Sequence, residues 1–91
     1  MKERVSLKIS GRVQGVFFRK CACDEANRFK LSGWIRNGVD GTVEVTAEGE
    51  KERLEQFIQW CYHGPRGAMV ENIQIEHLPA TGEFQGFKVF Y

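Results

Sequence analysis

Apolar residues in this chain alternate, then recur at helical spacing, alternate through two further stretches, return to helical spacing and alternate again. That succession of periods restricts the fold more than any single motif does. Val5, Leu7 and Ile9 alternate with Ser6, Lys8 and Ser10, as in a half-buried first strand, and a glycine-bearing segment from Gly11 to Phe17 follows. Phe18, Ala22, Ala26 and Phe29 then predict a first helix over about 18–31, which Ser32-Gly33 stops. Trp34 to Asn37 reads as a short strand with Ile35 inward, and Asn37-Gly38-Val39-Asp40-Gly41 holds two turn dipeptides, a hairpin signal. Val43, Val45 and Ala47 alternate with the outward Glu44, Thr46 and Glu48 in the returning strand, closed by Gly49. Leu54, Phe57, Ile58 and Cys61 form one stripe of a second helix over about 51–62, ended by His63-Gly64-Pro65-Arg66-Gly67. A fourth strand over about 70–78 places Ile73 and Ile75 inward. After the turn residues near Thr81-Gly82, Phe87, Val89 and Tyr91 form a short final strand.

The order is β-α-β-β-α-β plus a terminal strand, without repeat, linker or low-complexity tract. Two amphipathic helices and several one-faced strands bury their apolar faces most economically against one another. The expected fold is therefore α+β: a ferredoxin-like two-layer sandwich, with an antiparallel sheet and two helices on one face. Residues 1–91 are expected to form a single domain, since two would leave neither a usable core. This fold hosts many functions and names none.

Composition narrows the function. The chain is 42% apolar and 27% charged, too apolar for a disordered segment. Thirteen Lys and Arg against twelve Asp and Glu give a net charge of +1, so no global field recruits nucleic acid or an anionic membrane. No apolar run is long enough for a bilayer span, and Met1-Lys2-Glu3-Arg4 leads into a strand rather than the apolar stretch of a signal peptide. A cytoplasmic protein is expected. Cys21, Cys23 and Cys61 have no disulfide-scaffold spacing, which suits thiols in a reducing compartment. Cys21-x-Cys23 and Cys61-x-His63 look like metal-ligand pairs, but on a helix such residues point about 200° apart, so no metal is expected. Cys61, on the apolar stripe, is more simply a small core residue.

Charge is uneven along the chain. Arg12, Arg19 and Lys20 fall in a stretch without an acid, whereas six acids against Lys51 and Arg53 occupy 40–55. The first strand thus ends in a basic segment that opens a helix, where unpaired N–H groups and the helix dipole favour an anion. Gly11 and Gly15 would let the backbone curl so that its amides converge, and Arg19 would add a planar fork for two oxygens. Read from the residues alone, a plain turn with Arg19 in solvent stays open beside the anion cradle. Asn37-Gly38 likewise reads as an ordinary hairpin turn. Neither a P-loop nor a dinucleotide fingerprint is present.

Gly11-Arg12-Val13-Gln14-Gly15-Val16-Phe17-Phe18-Arg19 resembles the acylphosphatase signature G-x-V-Q-G-V-x-F-R at every fixed position. Gly33-Trp34-Ile35-Arg36-Asn37 followed by Asp40-Gly41-Thr42-Val43-Glu44 is similar to that family's second block, and Gly49, Gly64-Pro65 and Phe87-x-Val89 extend the resemblance over essentially the whole chain. The resemblance implies metal-independent hydrolysis of the carboxyl-phosphate bond of acyl phosphates. It implies that the backbone amides of Arg12, Val13, Gln14, Gly15, Val16 and Phe17, with the guanidinium of Arg19, hold the phosphate. Asn37 then positions the attacking water, and neither His63 nor His77 is given a catalytic role. No cofactor is implied; the partner is a small acyl phosphate, without nucleic acid or membrane, and a monomer is expected. Phe17 fills the variable position with a bulky ring and Gly38 follows Asn37, which bears on substrate fit and on how firmly the amide is aimed.

Two rival readings belong to other classes. An RNA-recognition module shares the element order but stacks bases on aromatics of its open sheet face, whereas the outward positions of strands one and three are Ser6, Lys8, Ser10, Glu44, Thr46 and Glu48. Trp34 and Phe90 remain as aromatics of short strands, more simply explained by edge packing. The other rival is an acylphosphatase-like domain that binds a phosphorylated ligand without turnover, a distinction that only kinetics makes.

Overall fold

The computed structural model describes all residues from Met1 to Tyr91. Its elements are β1 (Lys2–Arg12), α1 (Phe18–Arg28), β2 (Ser32–Asn37), β3 (Val43–Glu50), α2 (Lys51–His63), β4 (Met69–Pro79) and β5 (Phe87–Val89), the order that the periods predict. The strands lie side by side as β4-β1-β3-β2-β5. β1 pairs antiparallel with β3 and β4, and β2 antiparallel with β3. Alternate residues Val5, Leu7 and Ile9 of β1, with Ile35, Val43 and Val45, bury one sheet face against Phe18, Ala22 and Ala26 of α1 and Leu54, Phe57 and Ile58 of α2. Cys61 is fully buried in that core, as its place on the stripe implies.

The chain differs from its sequence reading in several places, each for a local reason. The expected sheet is antiparallel throughout; β5 instead pairs parallel with β2, so the sheet is mixed. Tyr91 lies outside β5, which stops at Val89. The first helix ends at Arg28, short of Leu31. Lys30 takes a left-handed backbone (φ 59°), and the amides of Lys30 and Leu31 close onto the carbonyls of Asn27 and Ala26, a Schellman ending without its usual glycine. Leu31 turns into the core beyond the helix, and its apolar character imitates a further helical turn. Ser32 and Gly33 open β2 instead of merely stopping α1. Ile75 sits on the same face as Ile73, but β4 is an edge strand and leaves Ile75 38% exposed.

Glu48 is the clearest departure. Alternation points it outward with Glu44, and the register confirms that face, yet it is only 4% exposed. The strap of residues 80–86, which carries the chain from β4 to β5, lies across it. Glu48 accepts hydrogen bonds from the Thr81 amide (2.9 Å), the Gly82 amide (3.0 Å), the Thr81 hydroxyl (3.1 Å) and Arg4 Nε (2.6 Å). Arg4 also pairs with Glu83 and lies 4.8 Å from the ring centre of Phe84. Burial by itself pushes the Glu48 carboxyl up, but the amide and Arg4 hydrogen bonds outweigh it and hold it down at about 2. A carboxyl lowered by folding contributes stability above its unfolded value near 4.5, and that stability is lost as pH falls through the folded value. The melting temperature of the natural protein should therefore drop steeply between pH 4.5 and 2. Glu48→Gln should cost about 3 kcal/mol at neutral pH and flatten that drop. Equal acid sensitivity in both proteins would show that charge on Glu48 does not hold the strap.

Candidate active site

β1 carries the chain to the end of the sheet and bends there. Its pairing with β4 slips by one residue between Ser10 and Gly11, and a Cβ on Gly11 (φ 123°) would run into the Met69 carbonyl. Arg12 is still strand, opposite Met69, so the loop begins at Val13 rather than at Gly11. The buried side chain of Val13 anchors the loop, and Gly15 turns it at φ 77°. Phe17 then takes the N-cap position of α1 with φ 61° and ψ 23°. This left-handed backbone costs a residue with a Cβ roughly 1–2 kcal/mol. The first turn of α1 has neither an acidic residue nor a side-chain cap, so its leading N–H groups are left for a ligand.

Arg19 stands in that first turn. Its Nη1 donates to the Phe90 carbonyl at 3.1 Å, and its guanidinium lies 4.8 Å from the ring centre of Tyr91. Only this one donation goes to the protein, and the rest of the fork is free. Lys20, beside it, reaches along the helix to Asp24 at 3.1 Å.

Asn37 ends β2, opposite Val43, exposed and with its carboxamide unpaired in the protein. The turn behind it is tightly braced. The Gly38 amide donates to the Thr42 carbonyl (2.7 Å), and Asp40 accepts from the Thr42 hydroxyl (2.6 Å) and pairs with Lys8 (2.9 Å). The Thr42 hydroxyl and Lys8 hold the Asp40 carboxyl well below the usual range. A Cβ on Gly38 would meet the Thr42 hydroxyl and the Asp40 carboxylate, so glycine there makes room for the brace. Gln14 joins loop to hairpin: its Nε2 donates to the carbonyls of Gly38 (3.0 Å) and Thr42 (2.9 Å).

Loop, helix end and hairpin enclose a cleft of about 290 Å³ lined by Val13, Gly15, Phe17, Phe18, Arg19, Lys20, Asn37 and Tyr91. Arg19 and Asn37, two blocks apart in the sequence, thus face one space, while Arg12, Gln14 and Val16 do not line it. Two larger depressions, of about 530 and 610 Å³, lie between β1 and α2 and beside the strap; neither contains Arg19 or Asn37. The residues that sequence reasoning missed are Tyr91, the carbonyl of Phe90 and the side chain of Gln14. The first two reach Arg19 only because β5 runs parallel to β2, and no local pattern signals that. Gln14 was legible as a signature residue, but nothing in its neighbourhood points to the hairpin carbonyls as its acceptors.

The fold and this cleft define a small α+β domain with an uncapped helix end facing an unpaired carboxamide. A family model described as Acylphosphatase matches residues 5–89. An acylphosphatase of Pelotomaculum thermopropionicum is 46% identical over 99% of this chain and 98% of its own. The crystal structure of acylphosphatase from Bacillus subtilis superposes with a TM-score of 0.94 at 33% identity, covering all of both chains. An acylphosphatase structure from Coxiella burnetii gives 0.92 at 32% identity over 98% of this chain and 93% of that one. The chain belongs to the acylphosphatase family and is an enzyme that hydrolyses acyl phosphates. No helix is long and apolar enough to cross a membrane.

Proposed function

We propose that the enzyme cleaves the carboxyl-phosphate bond without a metal, with Arg19 and the amides from Val13 to Phe17 holding the phosphate and Asn37 aiming the water. Arg12, whose amide the signature also suggests, is the last residue of β1, opposite Met69, at the start of this cradle. The observation that carries the reading is the shared cleft: a free guanidinium fork at an uncapped helix end, facing an unpaired carboxamide.

The chemistry asks for little more. An acyl phosphate is a mixed anhydride with a carboxylate leaving group, so the enzyme must neutralise phosphate oxygens and hold water in line. Asn37 accepts a hydrogen bond from the water through its carboxamide oxygen. As the water oxygen bonds to phosphorus, the bridging P–O bond breaks and its electron pair leaves with the carboxylate. The water's proton passes to a phosphate oxygen of the substrate, so no side-chain base is required. Positive charge comes from Arg19, Lys20 and the helix end, and the lining offers a cation no carboxylate, thiolate or imidazole.

The test is hydrolysis of benzoyl phosphate with a chelator present. Turnover should be undiminished by the chelator and competitively inhibited by inorganic phosphate. Turnover that the chelator abolishes in a protein that stays folded would overturn the metal-free reading.

A further inference from the structure

We propose that Phe17, with the ring of Tyr91 in the same cleft, forms an acyl-group subsite, so that the enzyme favours acyl phosphates with an aromatic or bulky apolar acyl group. This rests on the placement of the phosphate at Arg19 proposed above. The cleft of about 290 Å³ has the volume of roughly ten water molecules, far more than a phosphate group fills. Room is left there for part of the acyl group, and apart from Gly15, Arg19, Lys20 and Asn37 the lining is apolar or aromatic. Val13 and Phe18 are each 1% exposed and present almost no surface, so an apolar contact there is made with Phe17, 78% exposed, and Tyr91, 96% exposed.

Phe17 does nothing for the fold that would explain its ring. It is absent from the core cluster, pairs with no other aromatic ring and lies under no cation. Its backbone holds a left-handed conformation that glycine adopts without strain. The chain thus keeps a strained, unpartnered aromatic ring at the mouth of the site where the acyl group leaves as a carboxylate. Strain and exposed apolar surface coinciding at a site of chemistry point to the ligand rather than to the fold. The Arg19 guanidinium lies 4.8 Å from the ring centre of Tyr91, so the phosphate-holding residue and this part of the acyl wall are neighbours.

The experiment compares benzoyl phosphate with acetyl phosphate in the natural protein, Phe17→Ala and Phe17→Tyr. The reading is the ratio of their kcat/KM values, in which changes to the shared phosphate cradle cancel. The ratio should favour benzoyl phosphate in the natural protein, fall about five- to tenfold in Phe17→Ala and persist in Phe17→Tyr, which keeps the ring. Phe17→Asn, a residue tolerant of left-handed backbone, should repeat the alanine result and guards against a folding defect. A ratio that stays unchanged in Phe17→Ala while inorganic phosphate still competes removes the subsite alone. Loss of the ratio in Phe17→Tyr removes it as well, because the ring would then not be what counts. If inorganic phosphate competes with neither substrate in the natural protein, the placement at Arg19 falls and the subsite with it.

Discussion

Arg19→Ala should abolish competition by inorganic phosphate and lower kcat/KM for any acyl phosphate by at least about 100-fold, a loss of roughly 3 kcal/mol. The magnitude follows from the geometry. The guanidinium spends one donation on the exposed Phe90 carbonyl and keeps the rest of its fork for the cleft, where it can meet two phosphate oxygens. Its contacts inside the protein are few and near the surface, so thermal stability should change little and the loss is one of binding. Lysine should recover only a small part of the activity, since a point charge lacks the planar fork. Isothermal titration with phosphate beside steady-state kinetics checks both halves. Unaltered phosphate affinity in the alanine variant would displace the anion site from Arg19.

Asn37→Ala should behave in the opposite way. Its carboxamide makes no hydrogen bond within the protein, and the brace of Gly38, Asp40 and Thr42 holds the hairpin without it. Phosphate should therefore bind within about twofold of its natural affinity while kcat falls on the order of 10²–10³. An interaction present only when water is being aimed costs turnover rather than ground-state affinity. A variant that lost affinity and kcat together would make Asn37 a phosphate ligand instead of a water-positioning group.

The elements were legible because their signals are local. Val5, Leu7 and Ile9 or Leu54, Phe57 and Ile58 state their period within a few residues, and the core uses those faces. What was not legible depends on contacts between distant segments. Glu48 alternates like a solvent-facing residue, and only the strap arriving from beyond β4 buries it. Leu31 prolongs the apolar pattern of α1 past the left-handed Lys30 that turns the chain away. Within the site, the basic helix opening already made Arg19 an anion candidate beside the plain-turn reading, whereas Asn37 read as a hairpin turn until the signature's second block singled it out. Of the proposed acyl wall, Phe17 was legible as the bulky residue at the signature's variable position, whereas Tyr91 reaches the cleft through a parallel pairing that alternation does not announce.

The sheet order has a kinetic consequence. The interior strand β1 pairs on both sides with strands from later in the chain, and its pairing with β4 sets Glu3 opposite Pro79. Such pairings close long loops before they return any stabilisation, so this chain belongs among slow-folding topologies despite its size. The cleft is assembled from the first loop, the hairpin and Tyr91, which meet only when β1, β3, β2 and β5 are in place. Recovery of activity after dilution from denaturant accordingly follows the slowest structural phase and does not precede it.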